Sequence, residues 1–328
     1  MEVSILPLQR TLEVGLGENL LEALRSHQIP ISYSCMAGRC GTCRCRVIAG
    51  DVQVTGGPDS YFSDMGGRSV LACQTAVIEN CVIEIPEVDE VVVHPSKIIK
   101  ATVVGIESLT HDIRRVRLAL SRHFDFSPGQ YATLQFTPEH IRPYSMALSS
   151  AGAEAEFHIR LVADGRVTSY VASELKVGDA VRLSGPLGTA YLRRKSADPV
   201  VCIAGGTGLA PILSILRGMA EAGMWNPIHV YLGVRSSQDV YGIQWLKELQ
   251  ERLPNMMYQV VVASADQSGR YRTGVVTDAV NADLADLSGW RAYIAGAPVM
   301  VDAASILLRS KGIESAHIYA DAFYSTGV

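Results

Sequence analysis

The sequence predicts a multidomain chain of α+β and α/β class, and its length and two changes of pattern carry that reading. Its 328 residues exceed one ordinary domain of about 150, so two or three domains are expected. Short apolar runs of strand length recur from 101 to 183, parted by Gly, Pro and Asp clusters, as in an antiparallel barrel or sandwich. After Pro199, continuous apolar strands alternate with helical patterns, which implies a parallel sheet covered on both faces.

Residues 1–85 read as a small α+β module with an opening strand, a helix over 19–26, a cysteine loop, and strands near 43–48 and 82–85. Residues 86–95 begin acidic and are bracketed by prolines, which fix φ and cannot donate to a sheet, so they form a linker. Strands follow at 101–106, 116–120, 131–136, 157–162 and 180–183, with one short helix over 167–175. The charged stretch 192–199, ending in proline, is the second joint. Beyond it, strands are expected at 200–204, 228–233, 258–263, 292–295 and 316–319, alternating with helices at 210–222, 239–252, 274–281 and 298–310. The domain boundaries that result are 1–90, 96–195 and 198–328.

Composition narrows the function classes. Apolar residues make up 48% and charged residues 19%, an ordinary globular balance, and a net charge of -4 argues against nucleic-acid binding. No run of about 18 apolar residues occurs, and the opening Met1-Glu2-Val3-Ser4-Ile5-Leu6 has no basic leader pattern, so no membrane partner and a cytoplasmic location are expected. Seven cysteines fit a reducing compartment better than a disulfide framework.

Cys35, Cys40 and Cys43, followed by Cys73, have the C-x4-C-x2-C…C spacing of a plant-type 2Fe-2S cluster. Gly38 and Gly41 suit a loop wrapped around such a cluster, where backbone N–H groups point at sulfur. Structural zinc is the alternative, but its usual second C-x2-4-C pair is missing, since Cys73 stands alone. Cys45, Cys81 and Cys202 lie in apolar surroundings and read as small buried residues. His111, His158 and His317 show no metal-ligand spacing and read as structural.

Three further segments are candidates. Gly205, Gly206, Thr207 and Gly208 follow a buried strand and precede a helix, the setting in which a glycine turn offers a helix N-terminus to a pyrophosphate. A plain tight turn remains open, because Pro211 stands where a dinucleotide fingerprint expects Gly or Ala. The acid expected at the end of the second strand is absent, and Arg235 with neighbouring serines stands there, either to receive a 2′-phosphate or as a solvated turn. Arg142, Tyr144 and Ser145 end a strand as Arg-Pro-Tyr-Ser, and Gly165, Thr168 and Ser169 open the one helix of the second segment, where they serve a phosphate or only cap the helix.

Taken in order, the cysteine run, Arg-Pro-Tyr-Ser, Gly-Gly-Thr-Gly-Leu-Ala-Pro and the terminal Tyr-Ala-Asp-Ala-Phe-Tyr324 resemble the ferredoxin-NAD(P)+ reductase superfamily with an N-terminal ferredoxin domain. More narrowly, residues 31–47, 110–115 and 185–191 resemble the reductase component of naphthalene-type aromatic-ring dioxygenase systems. The resemblance implies a β-grasp 2Fe-2S ferredoxin domain, an antiparallel Greek-key FAD-binding β-barrel, and a Rossmann-like NAD(P)-binding domain with a parallel sheet. It implies that Cys35, Cys40, Cys43 and Cys73 ligate the cluster. FAD would meet Arg142, Tyr144, Ser145, His158, Arg160, Gly165, Thr168, Ser169 and the terminal aromatics Phe323 and Tyr324. NAD(P)H would meet Gly205, Gly206, Thr207, Gly208, Arg235, Gly296, Ala297 and Pro298.

By the same likeness, hydride passes from NADH, or also NADPH, to FAD, and single electrons leave through the cluster to a Rieske-type ferredoxin that feeds a terminal oxygenase. No catalytic acid or base is expected. The alternatives are a reductase of the same architecture serving a monooxygenase or a deoxysugar dehydratase, or a non-catalytic iron-sulfur carrier. Many relatives have Cys where this chain has Ala295, ahead of Gly296. Arg39, Arg44 and Arg46 surround the cysteine loop as candidate contacts for the acceptor or as solvated strand-edge charge. A monomer is expected.

Overall fold

The computed structural model describes residues 1–31, 33, 38, 43–55, 61–64, 67–85, 92, 94–150, 152–264 and 269–324. The chain divides into two compact units, Met1–Val91 with Tyr324–Val328, and Val92–Phe323. Among the described residues no helix is long and apolar enough to cross a membrane.

The first unit contains β1 (Glu2–Leu6), β2 (Arg10–Glu13), α1 (Leu20–Ser26), β3 (Arg44–Ala49), β4 (Val52–Val54), β5 (Tyr61–Asp64), β6 (Gly67–Leu71), β7 (Thr75–Val77) and β8 (Cys81–Glu84). Alternation sets β1: Val3 and Ile5 are fully buried while their neighbours are not. The mixed sheet runs β2-β1-β8-β3-β6-β5, with β1 and β8 parallel and β4-β7 forming a separate pair. Against it, α1 buries Leu20, Leu21, Ala23 and Leu24, the β-grasp arrangement. The N-cap is Asn19, whose Oδ1 accepts from the Glu22 N–H at 3.2 Å and whose Nδ2 donates to the Cys73 carbonyl at 3.0 Å. One residue thus starts the helix and fixes the turn that carries Cys73.

The second unit opens with β9 (Lys97–Ser108), β10 (Ile113–Leu120), β11 (Tyr131–Thr137), β12 (His140–Ser145), β13 (Glu154–Arg160), α2 (Arg166–Ser173) and β14 (Ala180–Leu187). The antiparallel order is β12-β11-β14-β9-β10-β13, in which β14 returns between β11 and β9 in Greek-key fashion. A bridge between Met146 and Phe157 joins the two edges and closes the barrel. Phe124 and Phe157 are fully buried in its core, each contributing about 1.5–3 kcal/mol over exposure. The strand expected at 157–162 lies at Glu154–Arg160, because Val162 leaves the ladder to bond Thr168 Oγ1.

The same unit continues with β15 (Val200–Gly205), α3 (Leu209–Glu221), β16 (Ile228–Val234), α4 (Ile243–Arg252), β17 (Met256–Val262), β18 (Arg272–Thr273), α5 (Val276–Asp283), β19 (Arg291–Gly296), α6 (Pro298–Ser310) and β20 (Ile318–Ala322). These strands form a parallel sheet ordered β18-β17-β16-β15-β19-β20, so the chain reverses direction across the sheet between β15 and β19. In open α/β sheets that switch point is where ligands bind, beyond the strands' carboxyl ends. Helix α4 starts at Ile243 rather than at the expected 239, because Asp239 closes a capping box with Ser236 and Gly242 takes a φ of 73°. The last strand starts at Ile318 rather than 316, since 315–317 form one 3-10 turn. The short strands β2, β4, β5, β6, β7 and β18 were not anticipated.

Candidate functional site

The cysteine loop is described only in part. Cys43 and Cys73 are buried, while Cys35, Cys40 and Arg39 lie outside the described residues. The Gly38 N–H donates to Cys73 Sγ at 3.2 Å from a φ of +76°, and a Cβ there would lie 2.6 Å from Gln74 Cγ. That donation fits a cluster ligand, since N–H groups aimed at sulfur stabilise a bound thiolate. Burial instead pushes the Cys45 thiol up to about 12, with Cys81 and Cys73 adding to the rise, so Cys45 stays a protonated core residue. Arg46 is paired with Glu84, Nε donating at 2.7 Å, and Arg44 lies beside it on β3.

On β12, Arg142 and Tyr144 face the side opposite the exposed Ile141 and Pro143, opposite Leu134 and Ala132 of β11. Burial pushes the Tyr144 phenol up to about 12, with Arg142 pulling the other way. A cation and an aromatic ring on one half-buried strand face fit the phosphate and ring system of a flavin. The Thr168 hydroxyl accepts from the Val162 N–H at 3.2 Å and donates within the same loop, so it caps its own turn. Gly165 is the N-cap of α2 without a side-chain cap, and Ser169 is exposed.

The Gly205–Gly208 turn lies at the switch point. Gly206 has a φ of +56°, and a Cβ on Gly208 would lie 2.0 Å from the Ala295 carbonyl oxygen, so neither position admits a side chain. Such a backbone cradle directly ahead of α3 fits a pyrophosphate. Gly296 ends β19 beside it and accepts from the Phe323 N–H at 2.8 Å, with Ala297 exposed and Pro298 at the first turn of α6. Phe323 packs on the α/β core, while Tyr324 falls in the other compact unit.

The structure separates two residues expected at FAD. His158 is fully enclosed: Nε2 donates to Glu156 at 3.1 Å, Nδ1 accepts from Tyr241 at 3.1 Å, and the ring stacks on Trp245 at 5.4 Å. Its side chain is therefore unavailable to a ligand, and burial pushes its pKa down despite the pull of Glu156. Arg160 lies against the glycine turn, its Nη2 2.7 Å from where a Cβ on Gly206 would stand, and its Nε is 3.4 Å from Asp112.

Sequence reasoning missed Asp321. Ser145 Oγ donates to its Oδ2 at 2.8 Å, tying the end of the barrel strand to β20, and Asp321 stands beside Ala295 in register. Burial raises this carboxyl to about 6, the Ser145 hydrogen bond pulling it back down. A carboxylate near the end of an otherwise apolar strand was the available signal. Arg235 was anticipated, but not its partners: Nη2 meets Asp112 at 2.7 Å and Asp239 at 2.8 Å.

The families that match the chain agree with this layout: a 2Fe-2S iron-sulfur cluster binding domain at 3–77, an oxidoreductase FAD-binding domain at 100–191 and an oxidoreductase NAD-binding domain at 202–305. The chain is 55% identical, over 100% of both chains, to the ferredoxin–NAD(P)+ reductase component of the naphthalene 1,2-dioxygenase/salicylate 5-hydroxylase systems of Ralstonia sp. It is 52% identical, again over 100% of both, to the reductase component of the naphthalene 1,2-dioxygenase system of Pseudomonas putida. The solved Amycolatopsis cytochrome P450 reductase GcoB superposes with a TM-score of 0.75 at 30% identity, over 98% of each chain.

Proposed function

The chain belongs to the ferredoxin–NAD(P)+ reductases with 2Fe-2S, FAD-binding and NAD-binding domains, and from that premise we propose that it is the reductase component of an aromatic-ring-hydroxylating dioxygenase system. The bound groups supply hydride acceptance at FAD from NAD(P)H and single-electron release through the 2Fe-2S cluster. The electron acceptor is a Rieske-type ferredoxin that feeds the terminal oxygenase, and the protein works as a cytoplasmic monomer. Its working domains are 1–90, 96–195 and 198–328.

The observation that carries the reading is the Ser145–Asp321 hydrogen bond, which brings the strand end of Arg142 and Tyr144 to the carboxyl edge of the parallel sheet, beside Ala295 and the glycine turn. Arg142 and Tyr144 hold the flavin, the Gly206–Gly208 turn and Arg160 hold the nucleotide phosphates, and Cys35, Cys40, Cys43 and Cys73 hold the cluster. Hydride transfer needs close approach more than proton transfer, and a glycine cradle with no side chain in the way permits it. Phe323, tied through its N–H to Gly296, guards the same edge.

The test is steady-state reduction of a purified Rieske-type ferredoxin by the reconstituted protein with NADH, beside reduction of a dye that draws electrons from flavin. Both activities are expected. Failure to bind flavin, or dye reduction without ferredoxin reduction, would sink the assignment.

A further inference from the structure

The acid that dinucleotide folds place at the end of the second strand, to hold the adenine ribose 2′-hydroxyl, is absent from β16, which ends at Val234 and is followed by Arg235. In space, two acids stand there. Asp239 reaches Arg235 at 2.8 Å from the turn after β16, its side chain almost fully buried, and also accepts from the Ser236 N–H and hydroxyl. Asp112 reaches the same Nη2 at 2.7 Å from the loop before β10 of the barrel, 123 residues away in sequence. Thr110 Oγ1 donates to Asp112 Oδ1 at 2.9 Å, which fixes the carboxylate, and Arg160 Nε lies 3.4 Å from its other oxygen. The three ligand-type groups His111, Asp112 and Asp239 converge within 4.8 Å of one another, and the cation between the two acids is Arg235 itself.

We propose that Asp112 is a specificity-determining residue that makes the chain favour the nicotinamide nucleotide with a free 2′-hydroxyl over the one with a 2′-phosphate. The inference rests on the reading of the Gly206–Gly208 turn and Arg235 as the nucleotide site. Two carboxylates set against Arg235 and the more distant Arg160 leave no net positive charge to receive a 2′-phosphate, which itself brings nearly two negative charges. A ribose hydroxyl brings none and donates to a carboxylate. To receive the phosphate, Arg235 must give up Asp112, a competitor already held at hydrogen-bond distance. The barrel thus supplies a ribose acid that is missing from the end of β16 itself. Its partner Asp239 is a buried cap whose loss would disturb the turn, whereas Asp112 is free to be changed without unmaking a helix start.

The test is calorimetric titration of the full-length, cofactor-loaded protein and its variants with 2′,5′-ADP and with ADP, fragments that differ at the 2′ position and require no turnover. In Asp112→Asn the dissociation constant for 2′,5′-ADP should fall about threefold to tenfold while that for ADP changes less than about twofold, as expected for removing one partly screened charge. In the double variant Asp112→Asn/Arg235→Gln that gain should vanish. If Asp112→Asn shifts both fragments equally or neither, while Arg235→Gln weakens 2′,5′-ADP, the role of Asp112 is overturned and the nucleotide site stands. If neither fragment binds to any form, the nucleotide reading itself has failed. A gain that survives in the double variant also overturns the proposal, since Arg235 is then not its carrier.

Discussion

Replacing Glu156 by Gln tests the joint between the barrel and the α/β part of the second unit. The Glu156 side chain is 2% exposed and lies on β13. Arg115 of β10 donates to it at 2.6 Å, His158 at 3.1 Å, and Arg217 of α3 stands 3.8 Å away. Trp245 of α4 lies under both guanidinium groups and against the His158 ring. Burial alone would raise the Glu156 carboxyl, but the hydrogen bonds from His158 and Arg115 and their charge outweigh it and hold the carboxyl down to about 2 from an ordinary 4.5. A carboxyl depressed in the folded state stabilises the fold above its unfolded pKa, and that stability is lost as pH falls through its folded pKa, here from about 4.5 to about 2. The shift corresponds to about 3 kcal/mol, in line with the 3–5 kcal/mol typical of breaking a buried ion pair. Trp225, Trp245 and Trp290 all lie in this unit, so urea unfolding followed by tryptophan fluorescence reports on it alone. The variant should lose about 3 kcal/mol at pH 7, and the gap to the parent should close as pH falls below about 4.5. A loss under about 1 kcal/mol, or a gap independent of pH, would refute the account of Glu156 as the counter-charge of that joint.

Asp321 titrates with the opposite sign. Burial raises its carboxyl from 3.8 to about 6, so the fold loses stability as pH rises across that window, and Asp321→Asn should remove a loss on the order of 2–3 kcal/mol. Parallel pH–stability curves for parent and variant would contradict it. Gly208→Ala places a methyl group 2.0 Å from the Ala295 carbonyl oxygen, so NADH affinity should fall by more than about tenfold while bound flavin is retained; an unchanged KM with full flavin occupancy would show that the turn does not cradle the nucleotide. Cys73→Ser should abolish the visible absorbance of the cluster and reduction of a ferredoxin, yet leave NADH-driven dye reduction, and an intact cluster spectrum would remove Cys73 from the ligand set.

Local chemistry was legible in the sequence, and chemistry assembled from distant segments was not. The cysteine loop 35–43, the Arg-Pro-Tyr-Ser strand end and the glycine turn are each written within ten residues or fewer, because the loop geometry they need is itself short-range, and only Cys73 stands apart. The parallel sheet was visible for the same reason: a strand buried on both faces, such as β15 or β19, reads as an unbroken apolar run. The short strands β2, β4 and β7 bury few residues and carry no such run, so tertiary pairing decides them.

The polar residues that pair across distant segments obey a different rule. Ser145 and Asp321 are 176 residues apart, Arg235 and Asp112 123, and His158 and Tyr241 83. Nothing near any of these residues announces its partner, because each pair exists only once the barrel is docked on the sheet. His158 and Arg160, both expected at FAD, show the same effect. On one strand they are separated by a single position and so point to the same side, and the likeness to relatives gave them one role. The docked sheet separates them: Tyr241 and Trp245 enclose the His158 ring, whereas Gly206, lacking a Cβ, leaves room for the Arg160 guanidinium beside the turn. A Gly206→Ala chain would have to expel Arg160, so this glycine makes room for the barrel's arginine.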